Sequence, residues 1–121
     1  MEDKMQNSNI FTSSIPPNVV HIIHRFAIES KQILKDNIIE EYLFGSYTTN
    51  TYTPHSDIDI LILVNTLTPQ VRRQISGLAS DYMLEYDVFI SPIIKEHQIW
   101  DKNKIYNSLL YQHVIQYGIQ L

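Results

Sequence analysis

From Gly45 to Val64 the chain reads GSYTTNTYTPHSDIDILILV, and this stretch decides the fold. Its last eight residues begin with Asp57 and Asp59, which are separated by Ile58, and continue as an unbroken aliphatic run. A β-branched apolar run of this length is typical of an interior strand that is covered on both faces. The pair Gly45-Ser46 stands ten residues before Asp57. The stretch therefore predicts the end of one strand, a polar connection and a second, buried strand.

Helical and strand patterns flank this stretch on both sides. Their order predicts an α/β or α+β fold, in which a small mixed β-sheet is packed by helices. Apolar residues at helical spacing predict helices over about residues 18–36, 68–83 and 106–117, and strand patterns fall at about 40–46, 57–64 and 85–90. We expect Asn18 to cap the first helix, Ser91-Pro92 to end the third strand, and Gly118 to cap the last helix before a tail, Ile119–Leu121.

Length and composition indicate one ordinary folded domain. The chain has 121 residues, 44% of them hydrophobic and 18% charged. We expect a flexible N-terminal arm at residues 1–15 and a single domain at 16–121. The absence of cysteine, of a signal-peptide pattern and of a long apolar run predicts a cytoplasmic protein with no membrane association. The net charge of −4 argues against nucleic acid as the main partner.

The two aspartates at the start of the buried strand suggest a metal site. Residues two apart in a strand face the same side, so Asp57 and Asp59 can converge on one or two cations. Hard oxygen ligands favour Mg²⁺ or Mn²⁺. A pair of such ions can clamp the attacking and leaving oxygens of a phosphoryl or nucleotidyl displacement.

A third carboxylate is expected from the third predicted strand. Asp87 lies there between Tyr86 and Val88, and a charged residue between such neighbours in a strand is uncommon unless it has a partner or a function. Its alternation places it on one side of the strand, from which it could face the same site. Glu85 on the same side is the alternative ligand.

Gly45 and Ser46 form a candidate phosphate site. A glycine at a strand end lets the backbone approach a phosphate closely. The serine adds a hydroxyl and an N–H group that can donate to phosphate oxygens.

The spacing of these residues resembles the minimal nucleotidyltransferases of the DNA polymerase β superfamily. The resemblance rests on Gly45-Ser46, ten residues, Asp57-x-Asp59 and a later Asp87, and it extends over about residues 18–121. It implies that Gly45 and Ser46 bind a nucleoside triphosphate and that Asp57 and Asp59 bind magnesium. It further implies that Asp87 completes the metal site or serves as the base, in a catalytic set of three aspartates.

Stand-alone members of this size resemble antitoxins that are paired with a HEPN ribonuclease. The resemblance then implies transfer of AMP from ATP to a tyrosine hydroxyl of the HEPN toxin, with two Mg²⁺ ions. Two alternatives stay open: a non-catalytic antitoxin that neutralises its partner by complex formation, and transfer to a small molecule such as an aminoglycoside. Enzymes of the last kind usually carry an additional helical domain. Assembly into homo- or hetero-oligomers is also left open.

The residues after Gly45-Ser46 differ from the common pattern of these families. Many members continue with x-Ala-Arg-Gly, whereas this chain has Tyr47-Thr48-Thr49-Asn50. Asn50 tolerates the left-handed conformation that a glycine would supply. Thr49 does not replace the charge or the donor set of a guanidinium group.

Overall fold

The computed structural model describes residues 9–121. This part of the chain contains five α-helices and four strands. The helices are α1 (Pro17–Leu34), α2 (Ser46–Thr49), α3 (Pro69–Tyr86), α4 (His97–Ile105) and α5 (Leu109–Tyr117), and the strands are β1 (Ile38–Phe44), β2 (Ile58–Val64), β3 (Ile90–Glu96) and β4 (Ile119–Gln120). None of the helices in these residues combines the length and apolar character needed to cross a membrane.

A four-stranded mixed sheet in the order β3-β2-β1-β4 forms the middle of the fold. β1 runs antiparallel to β2 and β4, whereas β2 and β3 are parallel. Parallel neighbours need a long crossover connection, and α3 supplies it. The predicted fold, a small mixed sheet packed by helices, is confirmed.

β2 is buried on both of its faces, as its aliphatic run predicts. Ile60 and Ile62 are fully buried in the core cluster that α1 and α3 cover. Leu61 and Leu63 point the other way and belong to a second cluster with Trp100 of α4. Helices therefore cover both faces of the sheet, and β2 is its interior strand.

Residues 9–15, which the sequence assigns to the N-terminal arm, contribute to the core beneath α1. Ile10 and Ile15 are 5% and 4% exposed. The short helical turn Ile10–Thr12 is capped by the side chain of Asn9, which accepts a hydrogen bond from the Phe11 N–H group. The rest of the arm lies outside the described residues, and the division into arm and domain stays a prediction.

The first helix and strand begin earlier than the sequence indicates. α1 starts at Pro17, so Asn18 lies inside the helix and does not cap it. Proline suits the first helical position because its missing N–H group needs no partner there. β1 starts at Ile38 and ends at Phe44, directly before the Gly45-Ser46 pair.

The prediction of a third strand over residues 85–90 is wrong. α3 continues to Tyr86, whose ring lies 5.3 Å from the ring of Tyr82 at the helical spacing of four residues. Asp87 then ends α3 in the left-handed conformation, with φ 56° and ψ 42°. The strand-like alternation that follows Glu85 is therefore partly helix and partly turn.

The strand that follows includes the proline that was expected to stop it. Ser91 and Pro92 lie inside β3, where they pair with Asp59 and Ile60 of β2. β3 is an edge strand of the sheet. An edge strand accepts proline because one of its sides needs no backbone donor.

The predicted helix over residues 106–117 begins three residues later in the structure, as α5 (Leu109–Tyr117), and the preceding helix α4 (His97–Ile105) was not predicted. The chain turns between α4 and α5, where Asn107 has a positive φ of 52°. Ser108 caps α5 by accepting a hydrogen bond from the N–H group of Tyr111. Tyr106 therefore belongs to the turn.

The residues after α5 form a strand and not a tail. Gly118 ends α5 with an extended backbone, at φ −63° and ψ 143°. A Cβ atom there would lie 2.4 Å from the carbonyl oxygen of Val114, so glycine permits a close backbone contact. β4 follows at once and pairs with β1 through Leu43 and Ile119.

A buried carboxyl group lies between β1 and α1. Glu41 is 1% exposed, and its two carboxyl oxygens lie 3.2 and 2.9 Å from Ser30 Oγ. The Ser30 hydroxyl has one proton and also lies 3.0 Å from the Ala27 carbonyl oxygen, which can only accept. Protonated Glu41 can donate to Ser30 while Ser30 donates to Ala27. Burial raises the pKa of Glu41 to about 7, and the Ser30 hydrogen bond and the charge of Lys31 oppose this.

Glu41→Gln should remove one source of pH-dependent stability. The pKa of Glu41 is about 7 in the folded protein and near 4.5 in the unfolded chain. The stability contributed by its protonated form is thus complete below pH 4.5, and about 3 kcal/mol is lost as the pH rises through 7. The neutral variant should match wild type at low pH and be more stable at pH 8, as measured by urea unfolding.

Asp81→Asn is the control, because Asp81 is exposed on α3. It should follow wild type at both pH values. If the free energy of unfolding of wild type and of Glu41→Gln depended on pH in the same way, the raised pKa of Glu41 would be excluded.

Candidate active site

The end of β1 lies beside the start of β2. Phe44, the last residue of β1, pairs with Asp59 in the antiparallel register. Gly45 follows Phe44, so it lies next to the Asp59 side chain. The two halves of the sequence pattern are therefore neighbours in space.

Gly45 has a backbone conformation that residues with a side chain rarely adopt. Its φ is 85° and its ψ is −154°. A Cβ atom at this position would lie 2.1 Å from Oδ2 of Asp59 and 3.0 Å from its Cγ. The glycine thus lets the backbone contact the carboxylate directly. Its approach to a phosphate, predicted from the sequence, stays a prediction.

The turn after Gly45 is held together by its own hydrogen bonds. The Gly45 carbonyl oxygen accepts from the Thr48 N–H group at 3.0 Å and from the Thr48 hydroxyl at 2.8 Å. The Thr49 hydroxyl lies 3.4 Å from the Ser46 carbonyl oxygen. Asn50 ends the turn with φ 61° and ψ 27°, which confirms the left-handed conformation expected there. Thr49 therefore stabilises the turn and brings no positive charge to it.

Asp57 lies close enough to Asp59 to affect the ionisation of Asp59. Asp57 is exposed just before β2, and Asp59 is half-buried within the strand. Burial raises the pKa of Asp59, and the negative charge of Asp57 raises it further. His113 acts in the opposite direction and lowers it. Repulsion between two neighbouring carboxylates is the kind of cost that a bound cation relieves.

This pair of carboxylates fits the ligand preferences of Mg²⁺. Magnesium is usually held by one or two protein carboxylates together with water and substrate phosphates. Within residues 9–121, no group of three or more His, Cys, Asp or Glu side chains is arranged to hold a metal ion. Asp57 and Asp59 would therefore be the protein ligands, and the remaining ligands would come from water and a nucleotide.

The structure does not bring Asp87 into this carboxylate pair. It is exposed at the end of α3, where the sequence predicted a strand. It lines a cavity of 220 Å³ that includes Ile58. Ile58 belongs to the core beneath α1 and α3, and Asp59 alternates with it toward the other face of the sheet. The alternative residue, Glu85, lies in α3 with a carboxyl oxygen 3.7 Å from Arg25.

A histidine from α5 contacts the site and was missed from the sequence. Nε2 of His113 accepts a hydrogen bond of 2.9 Å from the Gly45 N–H group. The two residues are 68 positions apart, so no local pattern connects them. One signal was available: His113 shares a helical face with Leu110, Val114 and Tyr117, which makes it a polar residue on an apolar stripe.

Comparison with known proteins agrees with this geometry. Residues 25–115 match the nucleotidyltransferase domain family. A Methanocaldococcus jannaschii protein provisionally named protein adenylyltransferase MJ0141 is 42% identical over 82 residues, covering 67% of this chain and 83% of that protein. The chain belongs to the nucleotidyltransferase domain family and is an enzyme of that type.

Two solved structures extend the comparison to complexes. A toxin–antitoxin crystallised with AMP-PNP includes a chain that is 26% identical, with a TM-score of 0.53; the match covers 79% of this chain and 69% of that one. Spectinomycin adenyltransferase AAD(9) from Enterococcus faecialis, crystallised with ATP and spectinomycin, is 26% identical with a TM-score of 0.52. That match covers 64% of this chain and 34% of the enzyme.

Gly45→Ala should destabilise the protein. A residue with a Cβ atom at this backbone conformation costs about 1–3 kcal/mol, and the contact with Asp59 adds to that cost. Urea unfolding of the variant should therefore show a loss of at least this size. Gly77→Ala is the control, because nothing lies within 4 Å of an added Cβ there and alanine favours a helix by about 1 kcal/mol. An unchanged free energy of unfolding for Gly45→Ala would contradict the contact.

Proposed function

We propose that this protein transfers AMP from ATP to a hydroxyl group, with Asp57 and Asp59 binding Mg²⁺ and Gly45 and Ser46 binding the triphosphate. The contact between the Gly45 backbone and the Asp59 carboxylate carries the proposal. It joins a turn that can approach phosphate closely to a carboxylate pair that can hold a divalent cation. The family supports the reaction class, and a relative named for adenylyl transfer supports AMP as the transferred group.

The reaction is an in-line displacement at the α-phosphorus of ATP. The acceptor oxygen forms a bond to that phosphorus, the bond to the bridging oxygen of the leaving group breaks, and pyrophosphate departs. Mg²⁺, when bound, supplies charge neutralisation on the phosphates. Asp57 and Asp59 hold their oxygens at the start of β2, and the Ser46 hydroxyl and N–H group donate to phosphate oxygens.

The acceptor proton requires a base, which is one of the two roles that the family resemblance implies for Asp87. The cavity that Asp87 lines also includes Ser56 and Ile58, which flank Asp57 in the sequence. This position is compatible with a base at the acceptor side. It is less compatible with a third metal ligand, because Asp87 lies outside the carboxylate pair.

The proposed acceptor is a tyrosine hydroxyl of a HEPN ribonuclease, in a toxin–antitoxin pair. The family resemblance implies this acceptor. The related toxin–antitoxin crystallised with AMP-PNP supports a protein partner and a nucleotide for the same fold. A tyrosine on the surface of a partner would enter the site from the side where Asp57 is exposed.

Two other functions have a supporting observation each. Thr49 stabilises the turn by hydrogen bonding and offers no guanidinium group, which favours an antitoxin that acts by binding alone. The likeness to spectinomycin adenyltransferase favours a small-molecule acceptor. Both can be separated from the main proposal in one set of measurements.

Asp57→Asn and Asp59→Asn should each lower AMP transfer by at least about 100-fold, because each removes a charge that holds the cation. The assay incubates the protein with labelled ATP, Mg²⁺ and either the protein encoded next to it or spectinomycin, and mass spectrometry locates the label. Chelation of Mg²⁺ should abolish transfer. Asp81→Asn, an exposed aspartate on α3, is the matched control and should transfer as wild type does.

Each outcome selects one function. Label on a partner tyrosine supports the proposal, and label on spectinomycin alone supports the small-molecule function. Equal labelling by wild type, Asp57→Asn and Asp59→Asn would exclude catalysis at this aspartate pair. Protection of the host by both inactive variants would identify an antitoxin that acts by binding. If Asp87→Asn lowers AMP transfer as much as Asp59→Asn does, Asp87 is an essential residue of the site.

A further inference from the structure

A hydrogen bond from Gly45 to His113 connects the C-terminal helix α5 to the site. The Gly45 N–H group donates to Nε2 of His113 at 2.9 Å. A ring nitrogen that accepts a hydrogen bond carries no proton, so the proton of the neutral ring is on Nδ1. The bond therefore defines both the tautomer of His113 and its orientation.

The imidazole ring is held by aromatic contacts on two sides. Its centroid lies 5.9 Å from that of Phe44 and 5.2 Å from that of Tyr117. Phe44 is the residue that pairs with Asp59. The same strand end thus positions the Asp59 carboxylate and the His113 ring.

Gly45 needs a restraint of this kind. Glycine has no Cβ atom, which permits the contact with Asp59 but also leaves its backbone freer than that of any other residue. Without an acceptor for its N–H group, Gly45 could move away from Asp59 at little cost.

We propose that His113 is a positioning residue that holds the Gly45 turn against Asp59, and thereby keeps the triphosphate-binding turn in register with the metal-binding carboxylates. The role rests on the proposed function of Gly45, Ser46 and the aspartate pair. His113 acts through Gly45 and need not touch the nucleotide. Through His113, the C-terminal helix α5 helps to hold the site in place.

Two substitutions separate the hydrogen bond from the ring. His113→Phe keeps an aromatic ring beside Phe44 and Tyr117 and removes the acceptor. His113→Gln loses the ring but can place an amide oxygen near the Gly45 N–H group. Both are compared with wild type in thermal unfolding, in Mg²⁺-dependent binding of AMP-PNP and in steady-state transfer.

His113→Phe should weaken AMP-PNP binding and raise KM for ATP by about tenfold, the effect of losing one hydrogen bond that orders a binding turn. Its kcat should change by less than about threefold, because the turn binds substrate and transition state alike. His113→Gln should remain within about threefold of wild type for both constants. A fall in Tm of the same size in both variants, with equal loss of binding, would indicate a structural role only and would overturn the proposal.

A measurement on wild type does not depend on activity. Nitrogen NMR of the His113 ring at pH 8 should show the proton on Nδ1, and a proton on Nε2 would overturn the proposal even if the Phe variant fails to fold. Wild type that neither binds AMP-PNP nor transfers AMP would overturn the proposed function. Wild type that binds AMP-PNP no better than His113→Phe, with the latter folded, would overturn the positioning role alone.

Discussion

The antiparallel pairing of Phe44 with Asp59 is the constraint on which the rest of the structure depends. It places Gly45 against the Asp59 carboxylate and also decides which face of the sheet each side chain of β2 meets. A shift of one residue would turn Asp59 into the apolar core beneath α1 and α3 and turn Ile60 out of it. A carboxylate without a partner in that core would be strongly destabilising. Core packing and site geometry therefore select the same register.

The last residues of the described chain contribute to the site as much as the central motif does. β4 pairs with β1 next to the strand end at Phe44, and Gly118 allows the turn between α5 and β4 to be tight. This pairing fixes α5 along β1 and brings His113 to the Gly45 N–H group. The C-terminal strand thus supports the site through the position of one helix.

Local patterns were enough to predict the elements around the central motif. The aliphatic run identified β2 as the interior strand, and the spacing from Gly45 to Asp59 identified two segments that the structure brings into contact. Asn50, a residue type that tolerates the left-handed conformation, adopts it at the end of α2. These features depend on short-range sterics and burial, which a sequence records directly.

The errors lie where long-range packing decides the outcome. Residues 85–90 alternate like a strand, but Tyr86 lies against Arg25 of α1 as part of α3, and Asp87 ends that helix in a left-handed conformation. Pro92 was expected to stop a strand and lies within one, because β3 is at the edge of the sheet. His113 has no local signature beyond its place on an apolar stripe. Asp87 was predicted as the third carboxylate because residues 85–90 were expected to form a strand. Since Asp87 instead ends α3, it lies outside the aspartate pair.

Under the proposed function, the electrostatics of the aspartate pair favour a metal site with two protein carboxylates. Gly45 covers Asp59 on the side of Oδ2, while Asp57 is exposed. A cation held by both residues would thus keep its remaining positions toward solvent, where water and phosphate oxygens can reach it. Magnesium keeps water and phosphate ligands more readily than it accepts a cage of protein carboxylates. Burial and the charge of Asp57 already raise the pKa of Asp59, and a third carboxylate would add a permanent negative charge to the metal-free site. A nucleotide phosphate brings its charge only together with the metal that neutralises it, so it is the better third ligand.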